Sequence, residues 1–270
     1  MGRSRSRVDP PNWRSWCLLG AGLVAIVAVA PPLGTAARRT EYAATLQFSL
    51  LAIALPALVA LGAPWRRLGL TRAEGSDERP GLAERLADRR RRHRELPWAL
   101  AFIVADLAVV AAWHAPGAVA TVARGGWAPL IEGVTLLVVG VGLWLELVPS
   151  PPLEPRSGHL RRAVLAAVAM WVFWTLAYIV GLSNRGFYQN FHHVAGGLSG
   201  GADGEIASAV LWAVATAAFI PVIFWNALTW LQSEEDPDTE LLRMFKAERR
   251  RGTAPGLVAP PKQNGASPAP

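Results

Sequence analysis

Residues Ala163–Leu182 read AVLAAVAMWVFWTLAYIVGL, twenty residues without a charge, directly behind Arg161-Arg162. Lipid offers backbone N–H and C=O groups no partner. A segment of about 20 apolar residues therefore crosses as a helix that satisfies every backbone group internally. Five further stretches read the same way: Trp16–Thr35, Ala43–Gly62, Pro97–Ala115, Trp127–Val148 and Ile206–Leu231. The spacing predicts an all-α polytopic bundle of six transmembrane helices. Prolines at 31, 32, 56 and 221 lie within these stretches or near their ends, where membrane helices tolerate them as kinks.

Composition agrees. Of 270 residues, 52% are hydrophobic and 17% charged, with twelve Trp, which excludes a disordered chain. The one cysteine, Cys17, excludes an internal disulfide framework. The basic balance, +7 at pH 7, is topological rather than a sign of nucleic-acid binding. Four Lys or Arg precede the first span, ten separate the second from the third, three the fourth from the fifth, and six follow the sixth. The opposite side holds only Arg38, Arg39, Arg124 and Arg185. The positive-inside rule then places both termini in the cytoplasm, N-in/C-in.

This gives a basic cytoplasmic N-terminus (1–15), a transmembrane domain (16–231) and a cytoplasmic segment (232–270) with an amphipathic stretch at 238–251 and a disordered tail. The first span also has the features of a cleavable signal peptide, but a retained helix is the preferred reading, and the later topology is the same either way. The Arg-rich cytoplasmic loop 66–95, with Leu82 and Leu86 on a short surface helix, is expected to anchor to anionic headgroups of the bilayer, and no nucleic-acid partner is expected.

Polar groups inside spans are functional candidates because they are costly there. Asp106 is an intramembrane acid with no Lys or Arg in any span to pair with. It is expected to be protonated, or hydrogen-bonded to Thr135, Thr175 or Asn226, as helix glue or in proton handling. Glu41, Gln47, His114, Glu132, Tyr188, Asn190, His192, His193, Asp203 and Glu205 all fall near the outer boundary. Gln47, Glu132 and Asp203 with His114 form the expected polar outer cluster. Imidazole suits copper, zinc and iron, so His114, His192 and His193 are the candidate metal ligands, although no ligand spacing supports a site. Nucleophile-elbow, Walker and Rossmann signatures are absent, and no enzyme activity is expected. A small transporter would suit Asp106, but no internal repeat is visible.

Four motifs carry a resemblance to the cytochrome c oxidase assembly factor CtaG family of bacterial inner-membrane proteins. Ala44-Thr45-Leu46-Gln47-Phe48 leading into Leu55-Pro56-Ala57-Leu58-Val59-Ala60-Leu61-Gly62-Ala63-Pro64 is similar to the family's H-M-x-Q-H and A-P-P-L-L-x-L-G-x-P. Trp113-His114-Ala115-Pro116 matches W-H-x-P. Glu132-Gly133, with Gly140 and Leu143-Trp144 downstream, resembles the segment that begins E-H. Asp203 and Trp212 keep two positions of D-Q-Q-x-x-G-x-x-M-W. The resemblance implies a multi-pass protein of the bacterial inner (plasma) membrane that assists maturation of a haem-copper cytochrome c oxidase, with subunits of that terminal oxidase as partners. It also implies copper as a cofactor or cargo handled on the extracytoplasmic side. At positions 44, 48 and 133, however, the family's histidines are replaced by Ala, Phe and Gly. At most weak copper binding is therefore expected, with His114 serving as hydrogen-bond partner to a neighbouring carboxylate. A scaffold that has lost metal binding is the alternative.

Overall fold

The computed structural model describes residues 13–71, 80–92, 96–182, 188, 191 and 199–232, except for the side chains of 96–99. The chain forms two compact units, Met1–Leu228 and Thr229–Pro270; of the second, only the last helical turn, 229–232, is described. The basic N-terminus up to residue 12, His192, His193 and the segment after 232 lie outside the described residues.

The all-α expectation holds, with no strand among the described residues. Five helical segments are long and apolar enough to cross a membrane singly: Trp13–Ala36, Glu41–Gly62, Ala128–Leu147, His159–Gly181 and Gly200–Gln232. Leu100–Trp113 and Pro116–Arg124, bent at 68° to each other, meet the same criterion only as a pair, which makes the count five to six spans. The cause of the bend is local. Pro116 sterically disfavours the α region for the residue before it, and Ala115 adopts φ −62°, ψ 136°. Helix α6 (Leu96–Trp113) must therefore end, and α7 (Pro116–Arg124) starts on a proline with no N–H to waste.

The first span comprises α1 (Trp13–Val29) and the short α2 (Leu33–Ala36). The second is composite: α3 (Glu41–Ser49), a π-helical turn at Leu50–Ala54, and α4 (Leu55–Gly62). Pro56, at the start of α4, cannot donate to the preceding turn, and the widened π turn is how the helix continues past it. Helix α8 (Ala128–Leu147) packs directly on this irregularity. A Cβ at Gly140 would stand 2.7 Å from Pro56 Cγ and 3.1 Å from the Ala52 carbonyl oxygen. Only a residue without a side chain admits so close an approach.

Helices α9 (His159–Gly181) and α10 (Gly200–Gln232) complete the bundle. Their aromatic residues meet α8 in the core, where Trp144 stacks on Phe219 with centroids 5.2 Å apart, and Phe173 stacks on the same ring at 5.9 Å. All three rings are buried. Outward faces are apolar instead: Leu19, Leu23 and Ile26 of α1, Val134 and Val138 of α8, and Val164, Val168 and Trp171 of α9 are exposed. An apolar surface of this extent is what a bundle presents to lipid.

The Arg-rich loop does contain a helix, α5 (Leu82–Arg92), but its buried face is not the leucine face. Ala83, Ala87 and Arg90 are buried, while Leu82 and Leu86 are exposed. Arg90 Nη2 donates to Glu146 Oε1 at 2.8 Å and to the Leu145 carbonyl at 3.0 Å, tying α5 to the end of α8. Burial pulls the Arg90 guanidinium below its ordinary value, and the neighbouring Glu146 opposes that. The short surface helix expected around Leu82 and Leu86 is present, with both leucines facing outward and Arg90 tying its other face to α8.

Candidate functional site: a buried polar pocket at one end of the bundle

Helices α3, α8 and α10 begin, and α6 ends, at the same end of the bundle, which collects the polar groups of four elements. The first contact is a cap. An α-helix starts with backbone N–H groups that have no partner within it. At α3 two of these are taken by a side chain from far along the chain: Asp203 Oδ2 accepts from the Glu41 N–H at 2.7 Å and Oδ1 from the Tyr42 N–H at 2.9 Å. Asp203 is fully buried. It fastens α10 to α3 rather than facing solvent, and its negative charge lies at the positive end of the helix dipole.

Beneath the cap a cavity of about 40 Å³, room for a few waters, is lined by Glu41, Gln47, Phe48, His114, Glu132 and Tyr188 among others. Gln47, His114 and Glu132 thus share one pocket, and Asp203 reaches it only through the Glu41 it caps. Glu41 and Glu132 are both buried. Glu41 Oε1 has no hydrogen-bond partner among the described residues. Gln47 also ties the bundle together, since its Nε2 donates to the Ala28 carbonyl of α1 at 2.7 Å.

The His114 ring is held on two sides. Its Nδ1 lies 3.1 Å from the Val110 carbonyl, and the Phe48 ring stands edge-on at 4.2 Å between centroids. A carbonyl only accepts, so this contact puts the proton on Nδ1 and leaves Nε2 of a neutral ring as the acceptor. The expected carboxylate partner is replaced by this backbone oxygen. Next to it, Trp113 Nε1 donates to Thr135 Oγ1 at 2.9 Å, joining α6 to α8.

Tyr188 and Phe191 cover the pocket. Tyr188 Oη donates to the His114 carbonyl at 3.0 Å, and its ring meets Phe191 edge-on at 6.3 Å. Burial pushes the Tyr188 phenol well above its ordinary range, and the charge of Glu41 adds to the effect, so it remains a neutral donor. Phe191 was not legible as a site residue because it stands in a Gly-rich stretch with no periodicity. Asp106 is not in this pocket. It is buried, two helical turns before Trp113, and its carboxyl oxygens have no partner among the described residues. Thr135, named above as one candidate, instead donates to Ile131 and Glu132 carbonyls. Asn226 Oδ1 accepts from His159 Nδ1 at 3.1 Å, and its Nδ2 donates to the Val222 carbonyl.

The described donors do not make up a copper centre, and His192 and His193 lie outside the described residues. Among the described residues no three His, Cys, Asp or Glu side chains are placed to hold a metal ion together. The His114 imidazole, the one among the pocket's described lining residues, packs against Phe48, an apolar ring without a donor atom. Cys17 sits in the first turns of α1, towards the opposite end. What the pocket offers is a set of buried, hydrogen-bonding groups that join four helices.

No curated protein and no solved structure matches the chain. A family model does. The one described as "Cytochrome c oxidase caa3 assembly factor (Caa3_CtaG)" matches residues 1–233, which span every described helix. The chain therefore belongs to the cytochrome c oxidase caa3 assembly factor family.

Proposed function

We propose that this protein works in the bacterial plasma membrane as an assembly factor for a haem-copper cytochrome c oxidase, with the polar pocket facing the extracytoplasmic side, and that it acts by contact with oxidase subunits. The observation that carries the reading is the family match across residues 1–233. The charge distribution supports the orientation, because the loops at the opposite end hold most of the arginines. The pocket chemistry supports contact over a resident copper centre, because Phe48 packs against the ring of His114 and no second imidazole faces it among the described residues. Delivery of copper as cargo would need His192 and His193 to join His114.

Deletion of the gene should lower terminal oxidase activity and the oxidase haem absorbance of membranes, while growth on fermentable substrate changes little. A deletion strain whose oxidase is fully assembled and active would sink the reading. If a deficient oxidase contains haem but no copper, and added copper restores it, copper delivery is the better account.

A further inference from the structure

At the opposite end of the bundle, α1 begins beside the turn that follows α4. The two helices are in close contact there, since a Cβ at Gly62 would collide with the Leu18 side chain. After Gly62 the chain turns through Ala63 in the left-handed region (φ 46°, ψ 63°) into a short 3-10 turn at Pro64–Arg66. That reversal brings Arg66 and Arg67 back over the first turn of α1. Between them lies a cavity of about 280 Å³ lined by Arg14, Ser15, Arg66, Arg67 and Pro151, with no carboxylate among its described lining residues.

We propose that this cavity binds a phosphate group, either the headgroup of an anionic phospholipid or a free phosphate ester. The guanidinium groups of Arg14 and Arg67, on either side of this space, repel one another unless an anion lies between them. Arg67 Nη2 donates to Ser15 Oγ at 2.7 Å, which orients the fork and leaves the Ser15 hydroxyl proton free to donate to a third group. Arg14 lies 5.2 Å over the ring of Trp13, and its Nε is buried without a partner among the described residues. A guanidinium that was simply solvated would have that N–H in water. Phosphate oxygens match this donor set, because Arg binds them through paired, charge-assisted bonds. The setting is interfacial: Trp65 donates to Ser150 Oγ at 2.9 Å, next to the lining Pro151. Indoles favour headgroup depth.

The test uses the full chain in nanodiscs holding equal amounts of phosphatidylglycerol and phosphatidylcholine, with lipids retained on release read by native mass spectrometry. Wild type should retain phosphatidylglycerol over phosphatidylcholine by about tenfold or more. Arg67→Gln and Arg14→Gln should each remove most of that preference. Arg91→Gln with Arg92→Gln, on the outer part of α5, should leave it intact. Arg67 is exposed, and a thermal-unfolding midpoint equal to wild type checks that its variant folds. Inorganic phosphate that raises the unfolding midpoint of wild type in neutral detergent, but not of Arg67→Gln, would identify free phosphate as the source. Retention of phosphatidylglycerol without that response would identify the lipid. Absence of both effects in wild type, or equal losses in the α5 control, would overturn the proposal.

Discussion

The carboxylate of Asp203 is bonded to the first two N–H groups of the helix that starts at Glu41, 162 and 161 residues away in sequence, at 2.7 and 2.9 Å. A contact this distant in sequence joins the first half of the bundle to the last. It also makes the polar pocket possible, because Glu41 is held by its backbone and its side chain is left to line the cavity.

Removing that cap should be costly. Asp203→Ala leaves two buried donors unpaired, and hydrogen bonds to a charged group contribute about 1.5–3 kcal/mol each while a helix cap contributes about 1. We expect Asp203→Ala to lose at least about 2 kcal/mol in detergent unfolding experiments, and Asp203→Asn less. An unchanged unfolding midpoint for the alanine variant would show that the cap does not hold α3.

Gly140 should not accept a methyl group. A Cβ there would lie 2.7 and 2.9 Å from Pro56 side-chain carbons, and neither the ring nor the Ala52 carbonyl behind it can swing away. Overpacking of this kind costs about 1–3 kcal/mol. Gly140→Ala should unfold at lower temperature, whereas Gly117→Ala, where nothing lies within 4 Å, should not.

Glu146 should matter more than Arg90. Glu146 Oε1 accepts from Arg90 at 2.8 Å and lies 3.5 Å from Arg156 Nε, all three side chains being nearly or fully buried. Breaking a buried pair by removing one partner costs about 3–5 kcal/mol, since the remaining charge has no solvent. Glu146→Ala strands two guanidiniums and Arg90→Ala leaves Glu146 with Arg156. Unfolding midpoints should therefore fall further for Glu146→Ala; the reverse order would mean that the cluster is held by its other contacts.

Copper binding should be weak in the wild type and should be gained by one substitution. Position 48 lies against His114, with ring centroids 4.2 Å apart, so Phe48→His places a second imidazole beside the first. Two converging imidazoles favour copper(II). In equilibrium dialysis, Phe48→His should bind copper at least about tenfold more tightly than wild type, and His114→Ala in that background should abolish the gain. Tight stoichiometric binding by wild type, lost in His114→Ala, would restore a resident metal site.

Orientation can be read by labelling. In a Cys17→Ser background, Gly200→Cys at the start of α10 should react with an impermeant thiol reagent from outside. Gly69→Cys, in the turn after α4, should react only after permeabilisation. The opposite pattern would invert the bundle.

Much of the fold was legible because lipid imposes a one-dimensional rule: a helix must be apolar for about 20 residues wherever it crosses. The runs ending at Gly62, Leu147 and Gly181 obey it, and each forms a helix close to the expected place. The stretch read as Pro97–Ala115 shows the limit. Hydropathy finds the apolar run but says nothing of a second helix leaving at 68°, which Pro116 sets through the backbone of Ala115. The pocket was half legible. Gln47, His114 and Glu132 were placed at one boundary by counting along spans, and they do line one cavity.

What this sequence determines alone is therefore the set of apolar helices and the family motifs on them, since both depend on residues near one another in the chain. What only tertiary structure decides is partnership. That Asp203 caps Glu41, that Arg90 leaves solvent for Glu146, and that Phe48 takes a place beside His114 all require helices distant in sequence to be side by side. A buried polar group is stable only with a partner or a solvated alternative, and which partner it finds is settled by packing, through contacts such as Gly140 against Pro56 that bring the helices close enough to choose.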